Sequence, residues 1–190
     1  MPPAVELYPG SVGAAVLLPV FEDAGETVVV LTKRPATMAA HRGEIAFPGG
    51  KIDPALDTSE RDAALREAEE EIGLRRELVD VVGQLESVVS AINKFTITPF
   101  VGLIQSRPSL APHPREVDRI IEVPLAQLLD NETYREELWV WDATERSVLF
   151  FELDGETLWG ATARILTGFL AQVTGVPAPT GSISEADRLG

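Results

Sequence analysis

The chain of 190 residues contains no cysteine, which excludes disulfide bonds and thiolate metal sites. It has two histidines, His41 and His113, whose separation does not form a metal-binding motif. Any metal site must therefore use oxygen or imidazole ligands, and oxygen ligands suit hard divalent cations.

Positive charge is also scarce, because 16 Lys and Arg residues stand against 30 Asp and Glu residues, a net charge of −14. Such a surface repels phosphate backbones and anionic lipids, so we expect neither a nucleic acid nor a membrane as a partner. No apolar run approaches the length of a membrane span, and the opening MPPAVELYPG does not match a signal peptide. The sequence therefore predicts a cytoplasmic protein.

The rest of the composition is ordinary, with 45% hydrophobic and 24% charged residues, and we expect one domain over 1–190 with loose termini at 1–10 and 176–190. Apolar runs predict strands at 13–20, 27–33, 45–47, 79–90, 95–104, 117–124, 134–141 and 147–153. Single helical turns are predicted at 37–40 and 125–129. Longer helices are predicted over 161–173 and up to Gly73, the latter with an N-cap among residues 57–59. This order indicates an α+β fold in which helices flank a mixed β-sheet.

Residues 66–74, REAEEEIGL, predict the last turns of an amphipathic helix. Glu67, Glu70 and Glu71 are spaced i, i+3 and i+4 and share one face. Gly73 lies where a helix favours a C-terminal glycine. The opposite face carries apolar residues that can pack on a core, namely Leu65, Ala68 and Ile72.

Three carboxylates at this spacing repel one another, and a hard divalent cation removes that repulsion. Mg²⁺ prefers oxygen ligands and commonly completes its shell with water and substrate phosphates. The residues therefore predict a helix that holds Mg²⁺ or Mn²⁺ against a phosphate-containing substrate. The alternative for a Glu-rich helix face is a merely solvated surface.

The segment that starts at Gly49 resembles the signature of the Nudix hydrolases, G-x5-E-x7-R-E-U-x-E-E-x-G-U, where U is apolar. The resemblance implies that Glu67, Glu70 and Glu71 bind the metal directly or through water, and that the Gly50 carbonyl contacts it. It also implies that Arg66 orients a carboxylate by ion pairing, and that the fold is an α/β/α sandwich. Arg66 and Glu67 are thus the first catalytic candidates.

The first half of the signature departs from the pattern, because Gly50 lies sixteen positions before Arg66 rather than fourteen. Thr58 also stands where the pattern has Glu. Asp57 or Glu60 can supply the missing acid, so the partner of Arg66 stays open between them.

The residues upstream resemble the extended motif of the coenzyme A pyrophosphatase branch of the family, over the segment LTKRPATMAAHRGEIAFPGGKIDP. The matching positions are Leu31, Thr32, Arg34, His41, Gly43, Phe47, Pro48, Gly49, Gly50, Lys51, Asp53 and Pro54. The resemblance implies hydrolysis of coenzyme A to 3′,5′-ADP and 4′-phosphopantetheine. Arg34, His41 and Lys94 are the candidates for binding the substrate.

Many Nudix enzymes take a further carboxylate from a loop outside the signature, as metal ligand or general base. Glu116, in PREVDRIIEVPL, is the candidate here, with Glu86 as the second choice. The three tryptophans, Trp139, Trp141 and Trp159, could stack on an adenine, but their apolar neighbours favour positions in a sheet.

Two other functions remain open at this point. One is a Nudix hydrolase of another nucleoside diphosphate derivative, such as ADP-ribose, a dinucleotide or a nucleoside triphosphate. It is suggested by Ile92, Asn93 and Lys94, which replace the Ser-Gly common in coenzyme A pyrophosphatases. The other is a catalytically silent nucleotide-binding module. A homodimer is a further expectation.

Overall fold

The two apolar runs near the N-terminus form a β-hairpin in the computed structural model, which describes residues 10–36, 43–90, 94–141 and 144–176. Strands β1 (Val12–Asp23) and β2 (Glu26–Lys33) pair antiparallel across the turn at Ala24 and Gly25. The hairpin was predicted from its β-branched composition, and it is confirmed. The predicted helical turn at 37–40 lies outside the described residues.

A mixed sheet is built around β1. Strand β7 (Phe95–Ile104) runs parallel to β1 along most of its length, and β4 (Gly49–Lys51) pairs antiparallel with its first half. The remaining strands of this sheet are β3 (Ile45–Ala46), β5 (Val79–Gln84), β6 (Val88–Ser90) and β8 (Arg119–Pro124). The predicted strand over 79–90 is therefore wrong as one element, because residues 85–87 interrupt it between β5 and β6.

Side chains alternate along β1 and fill a core on each face of the sheet. Ala15, Leu17 and Phe21 point to the face covered by helix α1 (Glu60–Ile72). Leu18 and Val20 point to the opposite core, which includes residues of helix α3 (Gly160–Thr174). Helices thus cover both faces of one mixed sheet, as predicted.

The C-terminal part adds a three-stranded antiparallel sheet of β9 (Tyr134–Trp141), β10 (Thr144–Leu153) and β11 (Glu156–Trp159). Strand β10 begins at Thr144, three residues before the predicted start. Strand β11 was not predicted, because four residues beside a Gly turn carry too short a pattern. The short helix α2 (Leu125–Leu128) matches the predicted helical turn.

Helix α1 begins and ends where its sequence predicts. The Ser59 hydroxyl accepts a hydrogen bond of 3.1 Å from the Asp62 amide, and Gly73 adopts the left-handed conformation with φ 67°. One prediction about its faces is wrong. Glu71 is only 4% exposed and is buried beside Ala68 and Ile72, so the carboxylate face borders the packed face instead of opposing it.

Candidate active site

Strand β4 passes directly beneath α1, and this brings the double glycine against the helix carboxylates. A Cβ atom at Gly50 would lie 2.5 Å from the carboxyl carbon of Glu67. Only a residue without a side chain therefore leaves the Glu67 carboxylate in this position. Burial raises the pKa of Glu67 above its ordinary value, and hydrogen bonding from Arg66 partly offsets that rise.

Glu71 is the most buried carboxylate of the group. Its Oε2 atom accepts a hydrogen bond of 3.1 Å from the Gly49 amide, and its Oε1 atom lies 3.8 Å from Nη1 of Arg34. Burial raises the pKa of Glu71 to about 7, against the opposing effects of the Gly49 hydrogen bond and the Arg34 charge. The effect of burial therefore exceeds that of the two favourable contacts, and it favours the protonated form of Glu71.

Arg66 connects the loop before α1 to the helix carboxylates. Its Nε and Nη2 atoms donate to the two oxygens of Asp57 at 2.7 and 3.0 Å. Its Nη1 atom donates to Glu67 at 2.9 Å and to Glu70 at 3.2 Å. The hydrogen bonds from Arg66 lower the pKa of Asp57, whose side chain is fully buried. The structure therefore pairs Arg66 with Asp57, not with Glu60.

The loop that is two residues longer than the signature folds into a turn that presents Asp57. The Asp53 carbonyl accepts from the amides of Leu56 and Asp57, and the Asp53 amide donates back to Oδ2 of Asp57 at 2.7 Å. Thr58, at the position of the signature Glu, donates from its amide and its hydroxyl to Asp62. In this longer loop, the acid that pairs with Arg66 is therefore Asp57, one residue before the position of the signature Glu.

Glu116 reaches the site from the segment between β7 and β8. The amides of Ala111 and His113 donate to the carbonyls of Ile72 and Glu71 at 2.9 and 2.8 Å, which satisfies the last turn of α1. This brings Glu116 close enough for its charge to raise the pKa of both Glu67 and Glu71, as a minor contribution beside burial. Glu86 is exposed between β5 and β6, so Glu116 is the better placed of the two candidates.

The three candidates for binding the substrate differ in position. Arg34 lies at the end of β2, with its guanidinium facing Glu71. Lys94 is exposed at the start of β7 and has a left-handed backbone with φ 54°. His41 lies outside the described residues, so its role stays a prediction. Trp139 and Trp159 are strand residues that pack against Phe150, as their apolar neighbours indicated.

The donor set of the site suits a hard divalent cation, since Glu67, Glu70 and Glu71 offer only oxygen atoms. Within the described residues, no three acidic or imidazole side chains already converge in a metal-binding arrangement. Instead, the carboxylates of Glu67 and Glu70 both pair with Nη1 of Arg66.

Sequence reasoning missed two contributors to this geometry. The amide of Gly49 binds Glu71, and the carbonyl of Lys51 lies 3.4 Å from Nη2 of Arg66. Both are main-chain groups of β4, for which side-chain identity gives no signal. His113, to which the sequence gave no role, joins the segment of Glu116 to α1.

Comparison with known proteins agrees with this geometry. The sequence model of the NUDIX domain matches residues 12–144, more than half of the chain. The chain belongs to the Nudix family. It is 41% identical over 160 residues to Nudix hydrolase 22, chloroplastic, of Arabidopsis thaliana, covering 80% of this chain and 52% of that protein. It is 38% identical over 172 residues to the uncharacterized Nudix hydrolase NudL of Photorhabdus laumondii, covering 90% of each.

The chain therefore spans about half the length of the Arabidopsis relative and nine tenths of the Photorhabdus relative. Among solved structures, a MutT/nudix family protein from Enterococcus faecalis superimposes with a TM-score of 0.58 at 17% identity, covering 90% of this chain and 70% of that one. This likeness supports the α+β Nudix architecture, which confirms the predicted fold class.

The reaction class and the metals are known for the Nudix family as a whole. Nudix hydrolases act on phosphoric anhydrides, and they generally use divalent ions such as Mg²⁺ or Mn²⁺. In addition, no helix in the described parts of the chain has the length and apolar character needed to cross a membrane.

Proposed function

We propose that this Nudix protein is a metal-dependent pyrophosphohydrolase that cleaves the diphosphate of coenzyme A or its derivatives. One observation carries the proposal: residues of the motif shared with coenzyme A pyrophosphatases surround the α1 carboxylates. Arg34 faces Glu71, the Gly49 amide binds Glu71, and Gly50 leaves room for Glu67. The remainder of that motif includes His41, which we assign to the substrate.

In the proposed reaction, a water oxygen attacks one phosphorus of the diphosphate and the bond from that phosphorus to the bridging oxygen breaks. Glu67 or Glu116 accepts the proton of the water. Mg²⁺ or Mn²⁺ bound by Glu67, Glu70 and Glu71, with the Gly50 carbonyl, would neutralise phosphate charge and lower the pKa of bound water. Arg66 keeps Glu67 oriented, and Arg34 and Lys94 attract the phosphates.

A second candidate, within the same family, is hydrolysis of another nucleoside diphosphate derivative such as ADP-ribose, a dinucleotide or a nucleoside triphosphate. The departure from the coenzyme A motif at Ile92, Asn93 and Lys94 favours it. A silent binding module is disfavoured, because such a protein has no need for three carboxylates on one helix face. A homodimer and a single domain over 1–190 remain predictions.

The test is hydrolysis of coenzyme A beside ADP-ribose, NADH and a nucleoside triphosphate, each with Mg²⁺, with Mn²⁺ and with a chelator. The products are identified by mass. We expect metal-dependent release of 4′-phosphopantetheine to be faster than any other reaction. Faster turnover of another diphosphate would reject coenzyme A as the substrate but leave the assignment of the site unchanged. Binding without any turnover would favour the silent module.

Glu70→Gln and Glu71→Gln are expected to lower kcat by at least about a hundredfold, because each removes a charge from the carboxylate face. Glu69→Gln is the matched control, since Glu69 lies on the same helix but pairs with Arg76 at the surface. Thermal unfolding should show all three variants folded. Turnover of Glu70→Gln or Glu71→Gln at the rate of Glu69→Gln would contradict the site assignment.

A further inference from the structure

His113 occupies a restrained position between two prolines, Pro112 and Pro114. Its amide donates to the Glu71 carbonyl at 2.8 Å, and its carbonyl accepts from the amides of Glu116 and Val117 at 3.0 and 2.9 Å. Flanking prolines limit the backbone conformations of such a segment. The main chain of His113 is therefore fixed to the last turn of α1 on one side and to Glu116 on the other.

The imidazole of His113 is oriented by the same turn. Its Nδ1 atom lies 3.7 Å from Oε1 of Glu116, and this nitrogen is shielded from solvent with no hydrogen-bond partner among the described residues. A hydrogen bond needs a shorter separation, of about 3 Å. The Glu116 side chain is 44% exposed, so a small rotation of that side chain closes the gap.

The side chain of Glu116 is partly exposed, so a hydrogen bond can fix its orientation. Glu116 lies close enough to Glu67 and Glu71 for the charges of the three carboxylates to act on one another, and like charges repel. A carboxylate on an exposed turn escapes such repulsion by rotating into solvent, unless a hydrogen bond holds it. The shielded Nδ1 atom of His113 is the nitrogen that faces Glu116.

We propose that His113 is a positioning residue that donates from Nδ1 to Glu116 and holds this carboxylate over the α1 carboxylates. The inference rests on the proposed function, with Glu116 as the group that accepts the proton of the attacking water. It specifies the Nδ1–H tautomer, because the neutral imidazole carries one proton and Glu116 is an acceptor. His113 itself does not touch the substrate.

The kinetic test uses the substrate that the wild-type protein hydrolyses fastest in the panel. His113→Ala is expected to lower kcat about tenfold with little change in KM, since a hydrogen bond to a charged group is lost while phosphate binding remains. His113→Asn keeps an amide donor near the position of Nδ1 and should restore most of kcat. Arg115→Ala, an exposed neighbour in the same turn, is the control.

A double mutant separates positioning from a merely structural role. Glu116→Ala should lower kcat at least as much as His113→Ala, and adding His113→Ala to Glu116→Ala should lower it no further. Full activity of His113→Ala, an equal loss in His113→Asn, or an additive loss in the double mutant would each overturn the proposal. Full activity of Glu116→Ala would overturn both the role of Glu116 and the positioning role.

A second measurement does not depend on turnover. The tautomers of the two histidines can be read from the ¹⁵N shifts of labelled wild-type protein, with His113→Asn used to assign the signals. We expect Nδ1–H at His113, and a shift toward Nε2–H in Glu116→Ala. An Nε2–H tautomer in the wild type would refute the contact, even if the substrate panel had failed.

Discussion

At the scale of single residues, the absence of a side chain at Gly50 leaves the space that the Glu67 carboxylate occupies. In Gly50→Ala the new methyl group would meet the end of the flexible Glu67 side chain, so the carboxylate moves while the backbone stays. We expect kcat to fall at least about tenfold, because a displaced group no longer meets the reacting atoms. The change in melting temperature should be small.

Gly83→Ala is the matched control for that prediction. A Cβ atom at Gly83 has no neighbour within 4 Å, so the same substitution introduces no contact. If Gly50→Ala and Gly83→Ala had equal activity, the position of Glu67 over β4 would have no bearing on catalysis.

The buried carboxylate of Glu71 makes the stability of the metal-free protein depend on pH. Its pKa rises from 4.5 to about 7 on folding, so the folded state binds the proton more tightly than the unfolded chain. This contribution is fully present below about pH 4.5 and is lost as the pH rises through about 7. The expected loss is on the order of 3 kcal/mol in the free energy of unfolding.

Urea unfolding of chelator-treated protein across this pH range measures the effect. Glu71→Gln should flatten the dependence of the unfolding free energy on pH, because the amide does not titrate. Added Mg²⁺ should stabilise the wild type more above about pH 7 than at lower pH, since the proton then no longer competes with the cation. A profile that is identical in Glu71→Gln would show that another group titrates.

At the scale of elements, the two hydrogen bonds from Arg66 to Asp57, here called the clamp, join the loop before α1 to the helix. Asp57→Asn removes the charge of a fully buried acceptor that Arg66 contacts twice. We expect a loss of about 1–3 kcal/mol in the free energy of unfolding. We also expect a lower kcat, because Arg66 then turns more fully toward Glu67 and Glu70. Urea unfolding and steady-state kinetics measure the two effects.

Glu60→Gln is the control for the clamp, because Glu60 was the other acid that the sequence offered as a partner of Arg66. Its removal should leave kcat unchanged and alter stability by only a few tenths of a kcal/mol, through the charge at the N-terminus of α1. A larger loss of kcat and stability in Glu60→Gln than in Asp57→Asn would indicate that Arg66 pairs with Glu60 instead.

At the scale of the whole molecule, the net charge of −14 opposes the approach of an anionic substrate. Salt screens this repulsion, and the Debye length falls from about 30 Å at 0.01 M to about 8 Å at 0.15 M. We expect kcat/KM to rise over that range at constant free Mg²⁺, with little change in kcat. A fall in kcat/KM would show that local cations such as Arg34 dominate the encounter.

The sequence by itself determined helix α1 and the spacing of its carboxylates. The Ser59 cap, the Gly73 end and the spacing of Glu67, Glu70 and Glu71 are local, because contacts within a helix follow from residues three or four positions apart. The β1–β2 hairpin was predictable for the same reason, since its partners are neighbours in the chain. The signature residues by themselves also indicate the Nudix family.

The tertiary structure alone decided which groups meet those carboxylates. The choice of Asp57 for Arg66 follows from the fold of the lengthened loop, and the burial of Glu71 follows from β4 passing beneath α1. Glu116 and His113 reach the site through main-chain bonds to the end of α1. Such contacts depend on strand register and loop path, which residue types at distant positions do not specify.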